Sequence, residues 1–131
     1  MNRESQKVMK LFDQLCKQPK RPFPQYRQSL VASSKPGVYI IRKDDTVLHV
    51  GRTLRGRDGL NQRLKNHIHG SSSFTNEYLK GNGAILRGDG YTYQYIVVED
   101  PRKRALVEAY AIGKLCPAHI GLGGSPTNVT N

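Results

Sequence analysis

Residues 37–51 read GVYIIRKDDTVLHVG, and this stretch decides the fold that we predict for the rest of the chain. Two runs of β-branched and aromatic residues, 37–43 and 46–51, flank the pair Asp44-Asp45. Such runs favour strands, and a short polar break between them is typical of a β-hairpin. The stretch therefore predicts an antiparallel hairpin with Tyr39 on its first strand and His49 on its second.

The length of the hairpin loop decides whether Tyr39 and His49 can act together. Side chains on paired strands share a face only when their residues are directly or diagonally opposite. A three-residue loop at 43–45 would pair the two directly, whereas a two-residue turn at Asp44-Asp45 would put them on opposite faces. We predict the loop with an odd number of residues, at 43–45, because a shared site needs both groups to converge.

The remaining segments predict helices around this hairpin. Residues 4–18 carry an apolar stripe at helical spacing, and the three prolines of residues 18–24 favour an extended connector. Periodicity and capping residues predict further helices over 56–69, 74–80 and 102–115, a Gly-rich loop over 81–90, and a third strand over 91–98.

The fold class that follows is α+β, with a three-stranded antiparallel sheet flanked by helices and preceded by an N-terminal helix. We divide the chain into a helix and connector at 1–24 and a main domain at 25–131. The last fifteen residues contain Gly121, Gly123, Gly124 and Pro126, and we expect a Gly-rich tail or a loop over the site.

Composition indicates one basic domain. The chain has 131 residues, 21 Lys and Arg against 10 Asp and Glu, a formal charge of +11 and a pI of about 10. This balance favours a polyanionic partner such as nucleic acid, although ribosomal proteins, heparin binders and membrane-surface proteins share it. The alternative is a solvated basic surface that only keeps the protein in solution.

The two cysteines and the hydropathy pattern bear on location. Cys16 and Cys116 lie a hundred residues apart with no metal-ligand spacing, which favours reduced thiols. The first eighteen residues are too polar for a secretory signal, and no apolar run approaches the roughly 20 residues that cross a bilayer. We expect a soluble, cytoplasmic protein without membrane partners.

Glu108 is the most unusual charged residue in the chain. It is the only charge in residues 105–112, ALVEAYAI, a segment that is apolar on nearly every side. A carboxylate in a buried helix is unfavourable unless it meets a cation, a metal or several donors. The structural alternative is an i,i+4 ion pair with Arg104.

The hairpin, together with Arg63, His67 and Glu108, resembles the GIY-YIG nuclease superfamily. That superfamily carries G-[IV]-Y on one strand and [YH]-[IV]-G on the next, matched here by Gly37-Val38-Tyr39 and His49-Val50-Gly51. The resemblance covers roughly residues 36–120. It implies a GIY-YIG-like sandwich and an endonuclease that hydrolyses DNA phosphodiester bonds with one metal ion.

The resemblance also implies roles for five residues. Tyr39 matches the tyrosine proposed as general base, and His49 stands where a second tyrosine is usual, with a side chain that accepts protons more readily than a phenol. Arg63 matches the arginine that neutralises the phosphate, and His67 lies one turn later on the same helix face. Glu108 matches the metal-binding glutamate.

A single carboxylate fits one Mg²⁺ or Mn²⁺ ion. Mg²⁺ prefers to keep most of its water ligands, so one protein carboxylate can hold it. No second acidic residue has a setting like that of Glu108, which argues against a two-metal nuclease, and no cluster of Cys and His suggests zinc.

One position departs from the superfamily pattern. Its members usually carry an asparagine about a dozen residues after the glutamate, close behind a proline. Here Cys116-Pro117-Ala118 leads to His119, and the nearest later asparagine, Asn128, follows a Gly-rich stretch. Either residue could substitute, or the position could be lost, which would leave reduced or absent activity.

Basic residues around the predicted site are expected to contact DNA phosphates rather than bases. They are Arg52, Arg55, Arg57, Lys65 and His69. No recognition helix or zinc finger supports strong sequence specificity, and no coiled-coil heptad or apolar patch decides the oligomeric state.

Two alternatives to the nuclease remain at this point. One is a nucleic-acid-binding module that keeps the fold without the activity. The other is a small basic protein in which the matching residues are ordinary structure, and it predicts that Tyr39, Arg63 and Glu108 do not converge in space.

Overall fold

A computed structural model of the chain describes residues 2–54 and 57–121. Its helices are α1 (Arg3–Cys16), α2 (Gly59–Ile68), α3 (Ser73–Glu77) and α4 (Pro101–Leu115), with a 3₁₀ turn at Gly83–Arg87. Its strands are β1 (Arg21–Pro22), β2 (Gly37–Lys43), β3 (Thr46–Arg52) and β4 (Tyr91–Val97).

The predicted α+β architecture is confirmed, with one strand more than we expected. The strands form one antiparallel sheet in the order β1-β4-β2-β3. The additional strand, β1, lies in the Pro-rich connector, where Arg21 pairs with Tyr93 at the edge of the sheet. An edge strand tolerates proline, because one side of it has no strand partner.

Strand β2 is the centre of the fold and is buried on both faces. Tyr39 and Ile41 pack with the core residues of α2 and α3, whereas Val38 and Ile40 pack with those of α1 and α4. All four are fully buried. A strand covered by helices on both sides reads as a continuous apolar run, which explains the sequence GVYII.

The hairpin turn differs from our prediction. Lys43 pairs with Thr46, so the turn has the two residues Asp44-Asp45, and Asp44 takes a left-handed φ of 52°. The prediction of a three-residue loop at 43–45 is therefore wrong. A two-residue turn by itself would place Tyr39 and His49 on opposite faces of the sheet.

A β-bulge reverses this consequence of the turn. The register shifts between Ile41 and Arg42, so that Ile41 pairs with His49 and Leu48 is left as the extra residue of β3. Leu48 packs in the same core cluster as Tyr39. Because the bulge adds one residue, His49 lies diagonally opposite Tyr39 on one face, as the prediction of a shared site requires.

Helices α1 and α4 cover the other face of the sheet. Val8 and Leu15 of α1 are buried beside Val107 of α4. At the surface, Arg102 of α4 donates hydrogen bonds of 2.8 and 3.0 Å to the carboxylate of Glu4 in α1. No helix within the described residues is long and apolar enough to span a membrane.

The glycines of the hairpin leave space for neighbouring groups. A Cβ atom on Gly51 would lie 2.3 Å from the hydroxyl oxygen of Tyr39, and one on Gly37 would lie 2.0 Å from the carbonyl oxygen of Ile96. Neither gap admits a methyl group. Gly51 is therefore the residue that lets the Tyr39 ring lie across β3.

We expect Gly51→Ala to reduce the free energy of unfolding by roughly 1–3 kcal/mol, because the new methyl group overlaps the Tyr39 hydroxyl in a packed core. Urea unfolding measures the change. The matched control is Gly113→Ala in α4, where a Cβ meets nothing within 4 Å and removal of a helical glycine should stabilise the protein by about 0.5–1 kcal/mol. Equal stability of the Gly51→Ala variant and the unsubstituted protein would contradict this account.

Candidate active site

Three aromatic side chains from three elements meet on the α2–α3 face of the sheet. The ring centroid of His67 lies 5.3 Å from those of Tyr39 and His49, which are 6.1 Å apart. The positive charge of Arg63 acts on all three rings and on Glu108. Tyr39, His49 and His67 therefore lie together, and the charge of Arg63 influences the pKa of each of them and of Glu108.

A directed chain of hydrogen bonds runs behind His67. The Thr75 hydroxyl donates to the backbone carbonyl of His67, so its oxygen is free to accept from the Ser72 hydroxyl, 3.0 Å away. The Ser72 hydroxyl proton is thus donated to Thr75 and is not available for His67. Its oxygen, 2.7 Å from Nδ1 of His67, must accept from that nitrogen, and His67 carries its proton on Nδ1.

The tautomer of His67 sets the direction of its bond to Tyr39. With its proton on Nδ1, His67 has a lone pair on Nε2, which lies 2.6 Å from the Tyr39 hydroxyl oxygen. Tyr39 is therefore the donor and His67 the acceptor. Ser72 also caps α3 by accepting from the backbone N–H of Thr75, and nothing in its local sequence connects it with His67.

Burial keeps Tyr39 and His67 uncharged. It raises the pKa of Tyr39 to about 12, against the opposing influence of Arg63. Burial, together with His49 and Arg63, lowers the pKa of His67 well below its usual value. At neutral pH the phenol keeps its proton, so the Tyr39 oxygen can take a proton from another group only while it passes its own to His67.

His49 lies in a second chain of polar groups. Its ring stacks on Phe74 with centroids 4.8 Å apart, and its Nδ1 is 3.2 Å from Nδ1 of His119. His119 in turn places Nε2 2.7 Å from a carboxylate oxygen of Glu77. Burial, then His119 and Arg63, lower the pKa of His49 to about 3, so its ring is neutral at neutral pH.

His119, one of the two residues considered for the asparagine position, lies beside β3. Its backbone N–H donates to the carbonyl of Leu48 at 2.8 Å, which forms a parallel bridge beside His49. Of the two residues, His119 contacts His49, and Asn128 lies outside the described residues. Glu77 was not identified from the sequence, because nothing in its local pattern connects it with residue 119.

Glu108 forms an ion pair with Arg52 rather than with Arg104, its partner in the structural alternative. Its Oε1 lies 3.1 Å from Nη1 of Arg52, and its side chain is 22% exposed. Arg104 is buried and donates instead to the backbone carbonyls of Thr53 and Val98. The i,i+4 pair with Arg104 is therefore not formed. Burial raises the pKa of Glu108, against the opposing influence of Arg52 and Arg63.

The carboxylate of Glu108 fits a hydrated divalent cation. It is partly exposed, and only one of its two oxygens accepts a hydrogen bond within residues 2–54 and 57–121. The same residues contain no group of three or more His, Cys, Asp or Glu side chains that could hold a metal. A site of this composition suits Mg²⁺ or Mn²⁺ with water ligands and does not suit structural zinc.

The residues predicted to contact DNA have different surroundings. Arg57 and His69 are exposed, and the Lys65 ammonium lies 4.0 Å from the carboxylate of Asp58. Arg52 is partly exposed and paired with Glu108. Arg55 lies outside the described residues.

Similarity to known structures supports the fold. The chain matches a GIY-YIG N-terminal endonuclease domain of UvrC from Thermotoga maritima, bound to its catalytic magnesium, with 21% identity and a TM-score of 0.52 over 92% of this chain and all of that one. An asparagine-to-alanine variant of the same domain matches with 21% identity and a TM-score of 0.52. A tyrosine-to-phenylalanine variant matches with 20% identity and a TM-score of 0.51. No protein-family model and no curated protein matches the sequence.

The protein therefore has the GIY-YIG fold. The similarity extends over nearly the whole chain, and the antiparallel sheet with its flanking helices agrees with it. This confirms the architecture that the hairpin motif implied. At 21% identity this similarity establishes the fold alone.

The buried neutral histidines should make the fold sensitive to acid. An unfolded histidine titrates near pH 6.5, whereas the pKa of His49 in the folded protein is about 3. Between these values the unfolded chain binds more protons, so the free energy of unfolding should fall as the pH decreases from about 6.5 towards 3. His67 acts in the same direction. Urea unfolding at a series of pH values measures this fall.

Two variants separate His49 from the other titrating groups. His49→Tyr removes one histidine, so its free energy of unfolding should fall less steeply with decreasing pH than that of the unsubstituted protein. His69→Gln changes an exposed histidine next to α2 and should keep the original slope. Parallel curves for the unsubstituted protein and His49→Tyr would show that His49 is not held neutral by the fold.

Proposed function

We propose that this protein is a metal-dependent endonuclease that hydrolyses DNA phosphodiester bonds with one Mg²⁺ or Mn²⁺ ion. The observation that carries the proposal is the hydrogen bond that Tyr39 donates to His67. The positive charge of Arg63 acts on the same tyrosine. A phenol whose proton already points at a neutral imidazole is a route for removing a proton from water.

In the proposed reaction, the oxygen of a water molecule attacks phosphorus while one of its protons moves to the Tyr39 oxygen. Tyr39 simultaneously gives its own proton to Nε2 of His67, so the phenol ends neutral and the imidazole ends charged. The bond from phosphorus to the leaving oxygen breaks, the leaving oxygen keeps the electron pair, and it takes a proton from solvent water. Arg63 supplies positive charge where negative charge develops on the phosphate oxygens.

Glu108 would hold the metal ion. When bound, the ion would stabilise charge on the phosphate and on the leaving oxygen. Ser72 supports this chemistry at a distance, because its acceptor oxygen keeps the proton of His67 on Nδ1 and so leaves Nε2 free to receive another.

Charge supports DNA as the partner. The net charge of +11 should attract a polyanion at low ionic strength and lose this attraction as salt is added. Lys65, His69 and Arg87 line one groove of about 250 Å³ beside α2, where phosphates could lie. Both cysteines are free thiols, which is consistent with the cytoplasmic location that we include in the proposal.

A binding module without cleavage is the second candidate. Two features favour it: a histidine, His119, rather than an asparagine contacts His49, and the pKa of His67 is lowered well below its usual value. A weak base at the end of the proton route would slow the reaction. In this alternative, DNA binds with strong salt dependence but is not cut.

Supercoiled plasmid incubated with Mg²⁺, with Mn²⁺ and with chelator tests the proposal. We expect nicking with either ion and none with chelator. Glu108→Ala should abolish nicking but retain DNA binding, because it removes the metal ligand and leaves the basic residues. The matched control is Glu99→Ala, which removes an exposed carboxylate just before α4 and should leave nicking unchanged. Binding without nicking under all conditions would leave the binding module as the function.

Tyr39→Phe tests the proton route. Loss of the hydroxyl should reduce the rate of cleavage by roughly 10²–10⁴-fold, the usual contribution of general acid–base catalysis, with little change in DNA binding. The control is Tyr95→Phe, since Tyr95 pairs with Tyr39 on the adjacent strand and its hydroxyl donates to the carbonyl of Ala32 instead. Single-turnover cleavage measures both rates, and equal rates for the two variants would exclude Tyr39 from the reaction.

A further inference from the structure

The carboxylate of Glu77 lies at the outer end of a chain of polar groups that leads to His49. Glu77 is the last residue of α3, and the same short helix carries Phe74, on which His49 stacks. His119 joins the two, with one ring nitrogen on Glu77 and the other on His49. Neither Glu77 nor this connection has a role in the proton route through Tyr39 and His67.

The chain assigns the protons of both histidines. An ionised carboxylate can only accept hydrogen bonds, so Nε2 of His119 carries a proton and donates to Glu77 across 2.7 Å. When His119 is neutral, its Nδ1 has a lone pair. That lone pair, 3.2 Å from Nδ1 of His49, accepts the His49 proton.

The consequence for His49 is an unprotonated Nε2. This nitrogen is buried and has no hydrogen-bond partner within the described residues. Buried polar atoms are almost always paired in native proteins, and a buried atom left unpaired points to a functional use or to a missing partner such as water. The free lone pair of His49 is thus an acceptor held ready inside the site.

We propose that Glu77 and His119 are positioning residues that hold His49 as its Nδ1–H tautomer, so that Nε2 accepts a hydrogen bond from the attacking water. The second part of this statement rests on the proposed nuclease function. A carboxylate that fixes the tautomer of one histidine through another acts on the reaction without touching the substrate.

The tautomer can be measured without any cleavage assay. Long-range ¹⁵N–¹H NMR of protein labelled at histidine nitrogens distinguishes protonated from unprotonated ring nitrogens at neutral pH. The chain has 4 histidines, and the His49→Tyr variant identifies the signals of His49. We expect a protonated Nδ1 and an unprotonated Nε2 for His49.

Glu77→Gln tests the role of the carboxylate. The amide can donate as well as accept, so it no longer fixes the proton on Nε2 of His119, and His49 should become a mixture of tautomers. Glu99→Gln makes the same chemical change at another exposed carboxylate and should leave the His49 signals unchanged. A protonated Nε2 in the unsubstituted protein, or an unchanged tautomer in Glu77→Gln, would overturn the proposal.

Cleavage then separates this proposal from the nuclease function. If the unsubstituted protein nicks DNA, Glu77→Gln should lower the rate by roughly 10-fold or more, while Glu99→Gln keeps it. Nicking at an unchanged rate in Glu77→Gln would overturn the assigned role of His49 without contradicting the proposed nuclease function. If the unsubstituted protein does not nick DNA, the nuclease proposal and the assigned role fail together, and the NMR signals still decide the tautomer.

Discussion

The hydrogen bond from the Tyr39 hydroxyl to Nε2 of His67 is the interaction on which the site depends. It joins the central strand to α2 over 2.6 Å, and both partners are fully buried. Two features of the fold make it possible. Gly51 leaves room for the hydroxyl to lie across β3, and Ser72 keeps the His67 proton on the opposite side of the ring. Folding and proton chemistry therefore share the same contact.

Burial sets the chemistry and also its limits. Apolar packing around β2 keeps Tyr39 and the two site histidines neutral, because charging any of them would lose hydration. Arg63 adds positive charge that opposes protonation of the histidines. The same charge suits a bound phosphate. We interpret the site as one in which a polyanion would restore the electrostatic balance and make proton uptake by His67 easier.

Helix α3 has a larger part in the site than its five residues suggest. Its cap, Ser72, orients His67, and its last residue, Glu77, reaches His49 through His119. Ser72 accepts the His67 proton on Nδ1, which leaves the lone pair of Nε2 facing Tyr39. Glu77 accepts the His119 proton on Nε2, which leaves the lone pair of Nδ1 facing His49. Two histidines on different elements thus acquire their tautomers from opposite ends of one short helix.

The sequence by itself determined the hairpin, the helices and the isolated carboxylate Glu108, because periodicity, turn residues and capping act over a few neighbouring positions. Only the tertiary structure decided the partners: Arg52 for Glu108, 56 residues away, and His119 for His49, 70 residues away. It also decided on which face of the sheet His49 lies, since the bulge that sets this face depends on how Leu48 packs in the core. Contacts between distant residues leave no local pattern from which they can be read.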